Sequence, residues 1–314
     1  MRSPSLTDMS IVFNKNAPSE NGGAEKVVFA GMYSDTPECE VLHVGEGIEE
    51  IAENAFRGFT NLREVYLPRS LKKISACAFA GCSALTRVIM EQGIEEIGDE
   101  AFSSCSSLTG FNMPDTVKRI GEGAFEGCAS LSSIHISESV YMIGASAFAF
   151  CFNLYDVTVP DSCVLLEFSA FSSCFSLEAV KLSDNMGLID ESTFEGCRSL
   201  KVVDMPRRLK KIGRRAFKGC SSLASLILPV GVEQVGFDAF ADCSSLSRIA
   251  IPKGMKELED EDIFGGCDSL VAISYGGNAE GWNYLTHGKT ITVQHSDMTL
   301  SVPKMIFMDL KDEI

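Results

Sequence analysis

A phenylalanine returns every 23 residues along most of this chain, and no other feature limits its fold as severely. The positions are Phe56, Phe79, Phe102, Phe125, Phe148, Phe171, Phe194, Phe217 and Phe240; Phe264 follows after 24, the extra residue falling in the acidic loop Glu259-Asp260-Glu261-Asp262. Three residues after each stands a cysteine, from Cys82 to Cys267, with Phe59 in its place in the first copy. Six residues after each stands a leucine, without exception from Leu62 to Leu270. Each unit therefore reads A-F-x-x-C-x-x-L-x-x-V-x-L-P, followed by a second apolar pair such as Leu71 and Ile74. A register held over so many copies requires equal structural units stacked on one another.

Within a unit, Val65 and Leu67 are two apart and share one face of a strand. Pro68, Pro114, Pro160, Pro206, Pro229 and Pro252 stand at the end of that strand, where proline's missing N–H does no harm to a ladder. A second short extended segment follows, as in Ile94-Glu95-Glu96-Ile97, and the A-F-x-x-C segment is expected as a tight turn or single helical turn leading to the next strand. One such coil cannot bury its own apolar side, so stability must come from nearest-neighbour interfaces and the ends must be capped. The expected organisation is a flexible N-terminal tail at 1–24, an N-terminal cap and partial repeat at 25–55, the array at 56–275 and a C-terminal cap at 276–314.

The A-F-x-x-C-x-x-L-x-x-V-x-L-P unit resembles the BspA-type leucine-rich repeat, over about residues 40–295. The stretch Tyr275-Gly-Gly-Asn-Ala-Glu-Gly-Trp282-Asn is similar to the ending of such arrays, in which a Trp-bearing helix closes the last coil. Thr290-Ile-Thr-Val-Gln-His-Ser-Asp is similar to the family's terminal strand. The resemblance implies a leucine-rich-repeat β-solenoid, curved and right-handed, with short parallel strands joined by tight turns or single helical turns and capped at both ends. For bacterial members it implies adhesion to host proteins or other microbes, and it brings no common catalytic residues.

Composition narrows the function. The net charge is −16, from 43 acidic against 27 basic residues. That balance argues against nucleic-acid partners and anionic lipid, whose recognition rests on Lys and Arg. No apolar run is long enough for a membrane span. The opening Met-Arg-Ser-Pro-Ser-Leu-Thr-Asp lacks the apolar core of a secretory signal, so at face value the chain is expected in the cytoplasm; a secreted or surface protein with its signal removed would read the same. Nine of the twelve cysteines occupy the repeat column and are expected as a reduced thiol ladder lining the core. Their spacing is wrong for zinc. His43, His135, His287 and His295 do not converge on one site, no nucleophile elbow, Walker loop or metalloprotease motif occurs, and Glu257 to Asp262 lacks the ligand alternation of a calcium loop. No cofactor or metal and no enzymatic activity are expected.

Identical positions in neighbouring coils lie side by side, so each repeat column is a stripe on the surface. The second-strand stripe alternates in sign: Glu49-Glu50, Lys72-Lys73, Glu95-Glu96, Lys118-Arg119, later Lys210-Lys211 and Glu233-Gln234. Its middle breaks the rule with Tyr141-Met142, Val164-Leu165 and Gly187-Leu188, and Phe150, Phe152, Phe168 and Phe175 stand where sibling coils are mostly small or polar. Two readings remain open for these residues: a partner-binding or self-association surface, or local packing. The first-strand face offers a mixed alternative in Tyr66, Arg87, His135, Asp156, Lys181, Asp204 and Arg248. The expected partner is a protein or a second copy of the chain, with a glycan left open. Met305-Ile-Phe-Met308 reads either as cap packing or as a sticky end.

Overall fold

The computed structural model describes residues 10–13, 27–28, 39–259, 263–287, 291, 293–294, 300–301 and 303–307. The chain divides into two compact units, Met1–Leu154 and Tyr155–Ile314. Each is a parallel β-solenoid built from the 23-residue coil.

In the first unit, the strands Ser10–Phe13, Val41–Val44, Glu64–Leu67 and Arg87–Met90 pair in that order, and Gly110–Asn112 pairs with Ser133–His135. The second strands Val27–Val28, Glu50–Ile51, Lys73–Ile74, Glu96–Ile97, Arg119–Ile120 and Met142–Ile143 form a ladder on another side of the coil. Register follows the repeat: Glu64 faces Arg87 and Lys73 faces Glu96, each one coil away. Among the described residues the third side has no strands, yet it is also a ladder. Asn54, Phe56 and Gly58 donate their N–H groups to the carbonyls of Ala76, Ala78 and Ala80 in the next coil, at 3.0, 2.8 and 2.8 Å. The expected tight turn is thus hydrogen-bonded both locally and forward, which satisfies backbone groups that burial would otherwise leave unpaired.

That turn depends on two left-handed residues per coil. One column holds Asn54, Cys77, Glu100, Gly123 and Ser146; the other holds Gly58, Gly81, Ser104, Gly127 and Phe150. Glycine also marks a close backbone approach at the end of the second strand: a Cβ on Gly121 would lie 2.5 Å from the backbone of Asp99 in the preceding coil.

The interior is a set of side-chain ladders. Phe56, Phe79, Phe102, Phe125 and Phe148 stack with centroids 5.2 to 5.4 Å apart. These distances exceed the strand spacing of about 4.8 Å, so the rings are offset, as their quadrupoles prefer. Beside them run the cysteines. The thiol of Cys105 donates to the carbonyl of Phe79 at 3.2 Å and that of Cys128 to Phe102 at 3.2 Å, bonds that tie each coil to the one before it. Each of these carbonyls also accepts an N–H from its own coil, as Phe79 does from Cys82.

The second unit repeats the plan. Its first strands are Asp156–Thr158, Ala179–Lys181 and Val202–Asp204, then Ser225–Ile227, Arg248–Ile251, Ala272–Tyr275 and Lys304–Phe307. Its second strands Leu188–Ile189, Lys211–Ile212, Gln234–Val235 and Glu257–Leu258 pair in order. Phe171, Phe194, Phe217, Phe240 and Phe264 stack at 5.4 to 6.0 Å. The Trp-bearing helix is Ala279–Leu285, capped by the Asn278 side chain, which accepts from the Gly281 N–H at 2.9 Å. Buried Trp282 packs on Tyr275 at 5.4 Å. Gly277 is required beside them, since a Cβ there would sit 2.6 Å from the Tyr275 ring.

The structure departs from the sequence reading at the N-terminus. Within 1–24, expected as a flexible tail, Ser10–Phe13 is a strand that pairs with Val41–Val44. The β-branched and aromatic run Ile-Val-Phe suits a pleated strand, and the open edge of Val41–Val44 supplies its partner. The rest of 1–24 lies outside the described residues. Near the other end, Val293–Gln294 pairs antiparallel with Leu300–Ser301, while Lys304–Phe307 joins Ala272–Tyr275 in parallel. Met308 lies outside the described residues.

Candidate interaction surface

The coil puts side chains on its outside in a fixed order, so a column that departs from its siblings stands out. On the second-strand columns the ordinary state is an ion-pair ladder. Lys118 bonds Glu95 at 2.7 Å, and Arg119 bonds Glu96 at 2.9 Å and Asp99 at 3.0 Å. In the second unit Lys210 and Lys256 both reach Glu233. Donation from Lys118 holds the Glu95 carboxyl below the usual carboxylate range, and donation from Lys256 and Lys210 does the same to Glu233. These pairs are exposed, so solvent screening leaves each a small contribution, and their main effect is to set which coil lies beside which.

The apolar departures fall in both units. In the first, Tyr141 and Phe150 are exposed, Met142 is half-buried, and Phe152 lies edge-on to Phe150 at 6.3 Å. Phe150 occupies the left-handed column at φ 60°, where the three glycines of that column carry no strain. In the second, Val164 is 60%, Leu165 41% and Phe168 51% exposed, and Leu188 is exposed one coil further on. Phe175 is different: it is half-buried, with the Arg198 guanidinium 4.7 Å above its ring.

The first-strand alternative is scattered. Tyr66 is half-buried, stacked on His43 at 4.4 Å and bonded to Glu64 at 2.6 Å. Arg87 and His135 are exposed in the first unit; Asp156, Lys181, Asp204 and Arg248 are exposed in the second, with Lys181 opposite Asp204. Because parallel strands stack like positions, the Tyr66 ring spends one face on His43. Sequence reasoning passed over Tyr155, which is exposed and bonds Glu178 at 3.1 Å, with Lys201 completing the chain at 2.8 Å. Its column is otherwise occupied by Glu, Arg, Thr, Ser, Lys, Ala224 and Val271, so comparison down the column would have found Tyr155 as its one aromatic.

Nucleophiles are present but muted. All twelve cysteines are thiols outside any disulfide, and only Cys77 is not buried. Burial pushes the thiols of Cys128 and Cys267 up to about 12 and that of Cys163 up to about 11. Among the described residues no group of His, Cys, Asp and Glu is arranged to hold a metal ion, and no helix is long and apolar enough to cross a membrane. Residues 260–262 of the acidic loop lie outside the described residues; Glu259 faces Lys211 at 3.8 Å. A cleft of about 570 Å³ opens beside the cap helix, lined by Lys253, Tyr275, Gly277, Asn278 and Phe307 among others.

The fold has close counterparts among solved structures. A leucine-rich repeat protein from Bacteroides ovatus is 23% identical, with 97% of this chain and 93% of that one covered and a TM-score of 0.51. The pneumococcal vaccine antigen PcpA is 19% identical, with 88% and 74% covered and a TM-score of 0.55. At these identities the likeness is one of fold. No curated protein matches the chain. The model of the BspA type leucine rich repeat region matches residues 29–155 and 141–271, the same span over which phenylalanine, cysteine and leucine recur coil by coil. The chain belongs to the BspA-type leucine-rich repeat family.

Proposed function

We propose that this chain is a non-catalytic scaffold that binds another protein through its exposed coil columns, with the second-strand face of the 155–314 unit as its main contact. The observation that carries this reading is the group Val164, Leu165 and Phe168, large apolar side chains left in solvent at positions where most sibling coils place charges. Contiguous exposed apolar surface marks interfaces, and burial of each such side chain returns about 1–2 kcal/mol. In the first unit, Tyr141, Phe150 and Phe152 offer a smaller patch of the same kind. The finer role, an adhesin-like binder of host or partner proteins, is in keeping with the family. A binder without chemistry also suits thiols held protonated far above neutral pH.

The test is capture of partners from the native cell by the chain and by a variant carrying Val164→Ser and Phe168→Ser, with light scattering on both. The expected result is a defined partner lost in the variant while mass and melting temperature are unchanged. A partner retained at full yield by the variant would remove this surface from the account. A wild-type mass of twice the monomer that halves in the variant would assign the surface to self-association, and binding confined to a glycan array would assign it to carbohydrate.

A further inference from the structure

We infer that the second-strand face of the 155–314 unit takes an extended protein segment that alternates carboxylates with bulky apolar side chains. This rests on the scaffold reading above and names the partner chemistry of the same surface. Beside the apolar block lies the densest positive charge in the chain. Six cations, Arg207, Arg208, Lys210, Lys211, Arg214 and Arg215, lie on or beside the strand Lys211–Ile212 with no carboxylate among them, and of these Arg207 pairs with Asp184 and Arg215 with Asp238 on neighbouring coils. Strand pairing joins block to row: Leu188 is opposite Lys211, and the Lys210 N–H bonds the Gly187 carbonyl at 2.8 Å.

The row keeps charge to offer. Lys210 shares Glu233 with Lys256, and Lys211 meets Glu259 only at 3.8 Å. Arg208 and Arg214 are exposed and form no ion pair among the described residues. Their planar guanidinium forks donate two parallel N–H bonds to a carboxylate. Strand geometry places Arg208 and Arg214 at most about 20 Å apart, the footprint of an extended peptide of about six residues, and Leu165, which precedes Lys211 by two coils in the same column, about 10 Å to one side. A polyphosphate or sulfated chain fits less well. It has nothing for Val164, Leu165 and Phe168 to grip, and it meets Asp190 and Glu191 at the turn end and Glu233 on the following coil. The overall charge of −16 opposes a long polyanion or an anionic bilayer in the same way. A short segment with its own apolar anchors answers both halves of the surface.

The test uses the full chain and two synthetic peptides in fluorescence anisotropy, one alternating Glu with Phe and Leu, the other with every Glu replaced by Gln. The Glu peptide should bind at least about tenfold more tightly at low salt, the advantage shrinking as salt screens it. Arg208→Glu with Arg214→Glu should abolish the preference; neither arginine holds an ion pair among the described residues, and an unchanged melting curve verifies the fold. Val164→Ser with Phe168→Ser should weaken both peptides. Equal binding of the two peptides overturns the inference and leaves the scaffold reading intact, as does failure of both peptides while partner capture succeeds. Binding to phosphatidylserine vesicles that is lost in the arginine variant, with neither peptide bound, overturns it in favour of a membrane.

Discussion

At the residue scale, two positions show what the coil demands of its sequence. Phe150 sits at φ 60°, a conformation that a bulky L-residue adopts at a penalty of roughly 1–2 kcal/mol. Its exposed ring gives little back beyond the contact with Phe152. Phe150→Gly should therefore raise stability by about 0.5–1 kcal/mol in urea unfolding, whereas Phe150→Ala, which keeps the strain, should not. Persistence of such strain at an exposed aromatic is what a binding residue would look like. The cysteine ladder answers to a different constraint. Its thiols fill the core and close a carbonyl bond to the coil before, as Cys151 does with Phe125 at 3.3 Å. With a thiol reagent and mass spectrometry, Cys77 should be the only cysteine modified in the native chain, and slowly, since burial and then Glu100 raise its pKa. The other eleven should react only at the rate of unfolding. Rapid modification of Cys128 or Cys220 in native protein would contradict the buried ladder.

At the scale of the element, the second strands are too short to be stable alone, and their outer charges set which coil lies beside which. Glu95, Glu178 and Glu233 are held below their ordinary range chiefly by lysine hydrogen bonds, from Lys118, Lys201, and Lys256 with Lys210. A carboxyl with a lowered folded pKa stabilises fully above its unfolded value of about 4.3 and loses that contribution as pH falls through the folded value. The melting temperature should thus hold from neutrality to about pH 5 and decline below about pH 4. High salt at pH 7 should lower it in the same direction, and a melting temperature that climbs with acid would contradict the ladder. These strands were legible in the sequence because Ile97 and its counterparts repeat at 23, and so were the proline stops and the Trp282 helix. The left-handed columns were not, because Asn54, Cys77, Glu100 and Arg215 share no chemistry, only a backbone angle. Nor was the contact of Arg198 on Phe175, which joins side chains 23 residues apart. The apolar columns were visible as substitutions, but only a fold separates exposed Phe168 from half-buried Phe175. The basic row was missed for a plain reason: its residues belong to several columns, and reading down columns divides them.

At the scale of the whole molecule, stability is a sum over neighbouring coils, so the chain should tolerate changes in coil number that keep the register. Charge adds a second condition, because the second-strand sign alternates with a period of two coils. Deleting residues 84–106 removes 23 residues and preserves every ladder, but it brings Lys73 beside Arg119 where each now faces Glu96. Deleting 61–106 removes 46 residues, a larger loss of core, yet it brings Glu50 beside Arg119 and keeps opposite charges adjacent. Both should fold with parallel-strand circular dichroism and a lower melting temperature than the full chain. Their salt dependence should differ in sign. Screening relieves like-charge neighbours and weakens opposite ones, so added salt should stabilise the single-coil deletion and destabilise the double-coil deletion. The expected size is within about 1 kcal/mol, the range of an exposed pair. Parallel responses in the two variants would mean that the alternating stripe does not set which coils sit side by side, and that the apolar ladders of phenylalanine, leucine and cysteine do so alone.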